Sequence, residues 1–160
     1  MFEAAHGSMI QWEICRREFA PDGALRDIYV HDTNIEHWCK LLAALRRTQS
    51  LEYSVDGQSR PVPATADEIF ATRITASPSL HFRISGIVVA CHFFCTEQIE
   101  MDVDPREVTS AAAFDEFLGL LRFIGDTVGK RVIVTCESDE QHPFISYNSD
   151  SREFEYRQID

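Results

Sequence analysis

The segment Cys91-His92-Phe93-Phe94-Cys95 brings two thiols and an imidazole close together, the side-chain types of a metal or thiol site. Their spacing argues against that chemistry. Apolar residues run almost unbroken from Ile87 to Cys95, which predicts a strand. On a strand, Cys91 and Cys95 share a face about 13 Å apart at roughly 3.3 Å per residue. That is too far to hold one zinc or to close a disulfide. His92 points to the opposite face. The cluster therefore reads as core sulfur with a histidine on the far side, and no metal or other cofactor is expected.

Other chemical patterns are weaker. Gly57-Gln58-Ser59-Arg60-Pro61 lacks the second glycine of a nucleophile elbow. The seven glycines form no phosphate-cradling loop. His31, His37, His81 and His142 have no HExxH-like spacing. Asp102 and Asp104 alternate along one side of a strand without a calcium-binding loop around them, which reads as a solvated face.

The elements that must position these residues are legible from periodicity. Leu80 to Val103 predicts three antiparallel strands. A turn at Ser85-Gly86 pairs Ile84 with Ile87, Phe82 with Val89 and Leu80 with Cys91. If Thr96 to Gln98 form the next connection and Cys95 faces Ile99, His92 lies opposite Asp102 and Phe94 opposite Glu100. His81 and Arg83 then share that face. Ile10 to Phe19 and Leu25 to His31 read as two further strands paired with each other across the Pro21-Asp22-Gly23 turn.

A helix follows, capped by Thr33 with Glu36 and carrying Ile35, Trp38, Leu41, Leu42 and Leu45 on one face. Leu51 to Val55 is a short strand beside an extended edge segment. Thr65 and Glu68 repeat the capping spacing before a turn or two of helix, with Arg73 to Ala76 as an alternative strand. Thr109 or Ser110 caps a second main helix with the stripe Phe114, Phe117, Leu118, Leu121, Ile124 and Val128. Gly119 and Gly125 inside it point to close packing or a bend, and Gly129 to its end. Arg131 to Glu137 is a strand, and Phe144–Tyr147 with Phe154–Tyr156 form a closing hairpin. The sum is an α+β domain over residues 9 to 160: a mostly antiparallel sheet of about six to eight strands with two main helices on one face. Residues 1 to 8 read as an expression-tag remnant.

Charge placement carries the functional expectation. The net charge is −11, of which Glu97 to Glu107 carries −4 and Glu137 to Asp160 carries −5. Such a field argues against direct binding to nucleic acid or anionic membrane and favours a basic protein partner. Five cysteines, an odd number, read as free buried thiols of a reducing, cytoplasmic compartment.

Glu97, Glu100, Asp102 and Asp104, with Glu137, Asp139 and Glu140, are the candidate partner-binding acids. Tyr147, Phe154 and Tyr156, set among the C-terminal acids, are candidate aromatic anchors. In size, acidity, α+β character and lack of catalytic motifs, the chain resembles bacterial toxin-neutralising immunity proteins in general character. That resemblance implies a non-catalytic inhibitor that covers a basic partner with an acidic surface. The alternatives are a small-ligand or regulatory module, and an enzyme assembled from Cys136 with His142 or His92 with Asp102.

Overall fold

The computed structural model describes residues 10–159. The chain runs through helix α1 (Trp12–Cys15), a 3-10 turn (Arg16–Phe19), strand β1 (Arg26–His31), α2 (Ile35–Thr48), β2 (Glu52–Val55), β3 (Gln58–Arg60) and α3 (Ala66–Arg73). It continues through β4 (Pro78–Ile84), β5 (Ile87–His92), β6 (Gln98–Val103), a second 3-10 turn (Pro105–Glu107), α4 (Ala111–Val128), β7 (Val132–Cys136), β8 (Ile145–Asn148) and β9 (Glu153–Tyr156). The strands form one sheet in the order β3-β2-β4-β5-β6-β1-β7-β8-β9. Every neighbouring pair is antiparallel. The α+β architecture is as expected, with nine strands rather than six to eight.

Where a strand from Ile10 to Phe19 is expected, Trp12–Cys15 form an α-helix and Arg16–Phe19 a 3-10 turn, and only Gln11 before them is extended. Ile10, Trp12 and Ile14 alternate, but Trp12, Cys15 and Phe19 also recur at helical spacing, and tertiary packing selects the second pattern. Cys15 and Phe19 are buried, whereas Ile14 is exposed. Phe19 meets Phe114, Phe117 and Phe144 edge-on at centroid distances of 5.8, 5.4 and 5.7 Å, in the geometry aromatic pairs favour. With no strand there to pair with, β1 does not sit at the sheet margin. It enters the centre, between β6 and β7.

The helices cover one face. In α2 the cap lies one residue later than the Thr33–Glu36 spacing indicates: Asn34 Oδ1 accepts from the backbone of Glu36 and His37, and the Asn34 amide donates to His37 Nδ1. Thr33 instead donates its hydroxyl to the Thr96 carbonyl at 2.8 Å, tying the end of β1 to the β5–β6 connection. Thr65 caps α3, which continues to Arg73 and excludes a strand there. Ser110 caps α4, and Gly129, at φ 69°, ends it in the left-handed conformation. The whole predicted stripe of α4 is buried. A Cβ on Gly125 would lie 2.7 Å from the Tyr147 ring, so that glycine is a close-approach site between α4 and β8.

On the sheet, β4 and β5 pair in the predicted register. The next pair does not. Ala90 faces Asp102 and His92 faces Glu100, a slip of two residues from the expected match. Phe93 lies just past the end of β5, packed against Trp38 at 5.0 Å and Phe70 at 5.7 Å, and the connection to β6 runs over residues 93–97, longer than the three residues expected. A slip of two preserves the faces, because side chains alternate with period two. Leu80, Phe82, Ile87, Val89, Cys91, Ile99 and Met101 are core residues, each contributing about 1.5–3 kcal/mol when fully buried if large and aliphatic or aromatic. His81, His92, Glu100 and Asp102 stand on the side away from the helices.

Candidate functional site

The face turned away from the helices gathers ionisable groups around β1. Because β1 lies between β6 and β7, Asp27 stands opposite both Asp102 and Thr135, and Tyr29 opposite both Glu100 and Ile133. Glu100 in turn faces His92 across the β5–β6 pair. The β7–β8 loop folds onto this face: the Ser138 amide donates to Asp27 Oδ2 at 2.8 Å, and Glu140 Oε2 lies 3.9 Å from His31 Nε2. Tyr29 donates its hydroxyl to the same Asp27 oxygen at 2.9 Å. Four carboxylates from three separate parts of the chain, Asp27, Glu100, Asp102 and Glu140, therefore converge.

Their electrostatics are unbalanced. His92 Nε2 lies 2.5 Å from Asp102 Oδ2, in a half-buried pair. That hydrogen bond raises the His92 pKa above its ordinary value against the opposing pull of burial, with the Asp102, Glu100 and Asp27 charges adding to it. The Glu100 carboxylate makes no hydrogen bond or ion pair among the described residues. Burial first, then the Asp27 charge, raises its carboxyl above the usual range; Glu140 and Asp102 add to this and His92 opposes it. Burial and the Asp27 hydrogen bond likewise hold the Tyr29 phenol protonated far above its ordinary range. Two parallel ring stacks flank Glu100: Tyr29 on His31 at 5.6 Å and His92 on Phe94 at 5.3 Å. Phe94 is 57% exposed at the rim. The arrangement offers negative charge between aromatic walls, a setting suited to a positively charged group.

The other predicted residues are placed elsewhere or differently. Glu97 is in the β5–β6 connection, where its carbonyl accepts from Thr33. Asp104 caps the second 3-10 turn and is held by Arg106 at 2.6 Å, a hydrogen-bonded pairing that lowers its pKa. Glu137 is exposed at the start of the β7–β8 loop. Asp139 pairs with His142 at 2.8 Å, so His142 is directed to that carboxylate.

The three aromatic candidates lie on the helix side of the sheet and do not form an anchor patch. Tyr147 is fully buried, with its hydroxyl donating to Asp126 Oδ1 at 2.6 Å. Phe154 is buried beneath the Arg122 guanidinium. Tyr156 donates to Glu18 Oε1 at 2.9 Å. Burial against α4 explains why their acidic sequence neighbours say nothing of their setting: alternate residues of a strand face opposite ways.

Asp27, Tyr29 and His31 were not marked as site residues by sequence. Their one signal is alternation with Ile28 and Val30, which places them together on a polar face. Among the described residues, no three His, Cys, Asp or Glu side chains are arranged to hold a metal ion, and no helix is long and apolar enough to cross a membrane. The chain matches no protein-family model, no curated protein and no solved structure.

Proposed function

We propose that the protein is a non-catalytic binding protein of the cytoplasm that receives a basic protein partner on the open face of its sheet. The observation that carries this reading is the convergence of Asp27, Glu100, Asp102 and Glu140, with the Glu100 carboxylate unpaired and its pKa raised first by burial and then by the Asp27 charge. Like charges on adjacent strands destabilise a sheet, by up to about 1 kcal/mol for a directly opposed pair. A cationic partner group placed there relieves that repulsion on binding. None of these carboxylates lines the clefts of about 370, 310, 400 and 340 Å³, although the last borders the cluster through His31 and Ile133. A sheet face with a charged centre suits a protein surface better than an enclosed small molecule. A basic toxin neutralised by an immunity-type inhibitor has the matching charge.

The test is affinity capture from lysate of the source organism at low and high salt. The wild type is compared with a face variant, Glu100→Gln/Asp102→Asn/Glu140→Gln, and with a control variant, Asp115→Asn/Asp150→Asn/Glu153→Gln. Each triple removes three negative charges from the net −11. The reading requires a basic protein retained by wild type and control at low salt and lost from the face variant. Equal retention by both variants contradicts it.

A further inference from the structure

The other half of the same sheet face has the opposite character. Arg131 and Arg157 form no ion pair among the described residues, although the chain holds 26 acidic against 15 basic residues. Both line one cleft of about 370 Å³, with Ser146, Glu155 and Pro143. The strand register explains the convergence. Ile133, Ser146 and Glu155 form one row across β7, β8 and β9. Arg131 precedes Ile133 by two residues and Arg157 follows Glu155 by two, so both project on the face of Ser146 and approach it from opposite ends.

Ser146 is the second observation. It is only 7% exposed, yet its hydroxyl makes no hydrogen bond to any described residue while it lines this cleft. The hydroxyl keeps contact with solvent through the cleft, so water serves it in the free protein and it can donate to a bound oxyanion in that water's place. Two guanidiniums against the single carboxylate of Glu155 leave the cleft with a local positive excess. Guanidiniums match the planar oxygen pairs of carboxylates and the oxygens of phosphate.

We propose that this cleft is an oxyanion site, binding the phosphate or carboxylate group of a small organic ligand between Arg131 and Arg157, with the Ser146 hydroxyl as a third donor. Glu155 accepts from a hydroxyl or ammonium group next to the anion, so the preferred ligand carries such a donor. The site is separate from the acidic cluster and does not depend on the partner proposed for it.

The experiment is a titration of the ¹⁵N-labelled full chain with sodium phosphate, and separately with sodium acetate, at ionic strength held constant with sodium chloride. Amide shifts of Ser146, Glu155 and Arg157 report the cleft. Saturable shifts with either anion are expected, saturation by phosphate alone assigning a phosphate group and by acetate alone a carboxylate. Arg131→Gln and Arg157→Gln should each weaken binding by roughly tenfold or more, the size expected for losing a charged hydrogen bond. Ser146→Ala should weaken it less. If that variant fails to fold, the two exposed arginine positions still decide the matter. Shifts that grow without saturation for both anions, or that are unchanged in both arginine variants, overturn the proposal.

Discussion

Asp27 and Asp102 stand directly opposite one another on β1 and β6, and Tyr29 and Glu100 form the next pair on the same face. Asp27 is satisfied by Tyr29 and the Ser138 amide, and Asp102 by His92. The Glu100 carboxylate has neither kind of support and is set among Asp27, Glu140 and Asp102. A carboxylate held in that position works against stability, and the first prediction follows from it. Glu100→Gln should raise the unfolding free energy at neutral pH by about 0.5 kcal/mol, the scale of relieving a cross-strand like-charge contact. Urea denaturation of the two proteins checks this. A loss of stability would mean that Glu100 has a structural role instead.

The His92–Asp102 pair predicts a pH dependence. The folded-state pKa of His92 is raised above its unfolded value of about 6.5, so its contribution is fully present below that pH and is lost as pH rises through the folded value. His92→Gln should therefore cost about 1 kcal/mol at pH 5.5 and much less at pH 9, the modest scale reflecting a partly solvated pair. Denaturant midpoints at the two pH values measure the gap. A gap that widens with rising pH has the wrong sign for this pairing.

Thiol reactivity should be graded. The expectation of five buried cysteines does not hold: Cys95 is exposed, Cys39 and Cys136 are partly so, and Cys15 and Cys91 are buried. Burial pushes the Cys15 thiol up to about 12 and raises Cys91 as well, removing the reactive thiolate. A chromogenic disulfide reagent should modify Cys95 quickly in native protein, Cys39 and Cys136 slowly, and Cys15 and Cys91 only on unfolding. Rapid modification of Cys91 in the native state would contradict the packing of β5.

Gly125→Ala tests the contact between α4 and β8. The added methyl meets the Tyr147 ring at 2.7 to 2.9 Å, and the rigid ring is itself held by Asp126. Overpacking of this kind should cost about 2 kcal/mol, despite the better helix propensity of alanine. Thermal and urea unfolding report it; a stabilised variant would show that the helix and strand separate easily.

Much of this fold is written locally. The Ser85-Gly86 turn sets the β4–β5 register, and the stripe from Phe114 to Val128 sets the buried face of α4. Residues 10 to 19 are ambiguous because strand and helix periods coexist there, and only the Phe19 aromatic contacts decide between them. The position of β1 is not local information at all, since its neighbours β6 and β7 lie far along the chain. For the site, Glu100, Asp102 and Glu140 were legible as charge, whereas Asp27 was not, because a single acid in an apolar strand acquires meaning only from the strands beside it. Tyr147, Phe154 and Tyr156 misled because proximity in sequence to acids does not set the direction of a strand side chain.

The most direct measurement of the central claim is the association rate of the captured basic partner at 0.1 M and 1 M salt, with wild type and the Glu100→Gln/Asp102→Asn/Glu140→Gln variant. Screening shortens from about 10 Å to about 3 Å over that range. The wild-type rate should fall steeply with salt, and the variant should associate slowly at low salt with little further dependence, while both remain folded to the same denaturant concentration or beyond. A variant that associates as fast as wild type at 0.1 M salt, with the same salt dependence, would contradict the assignment of this face as the docking surface.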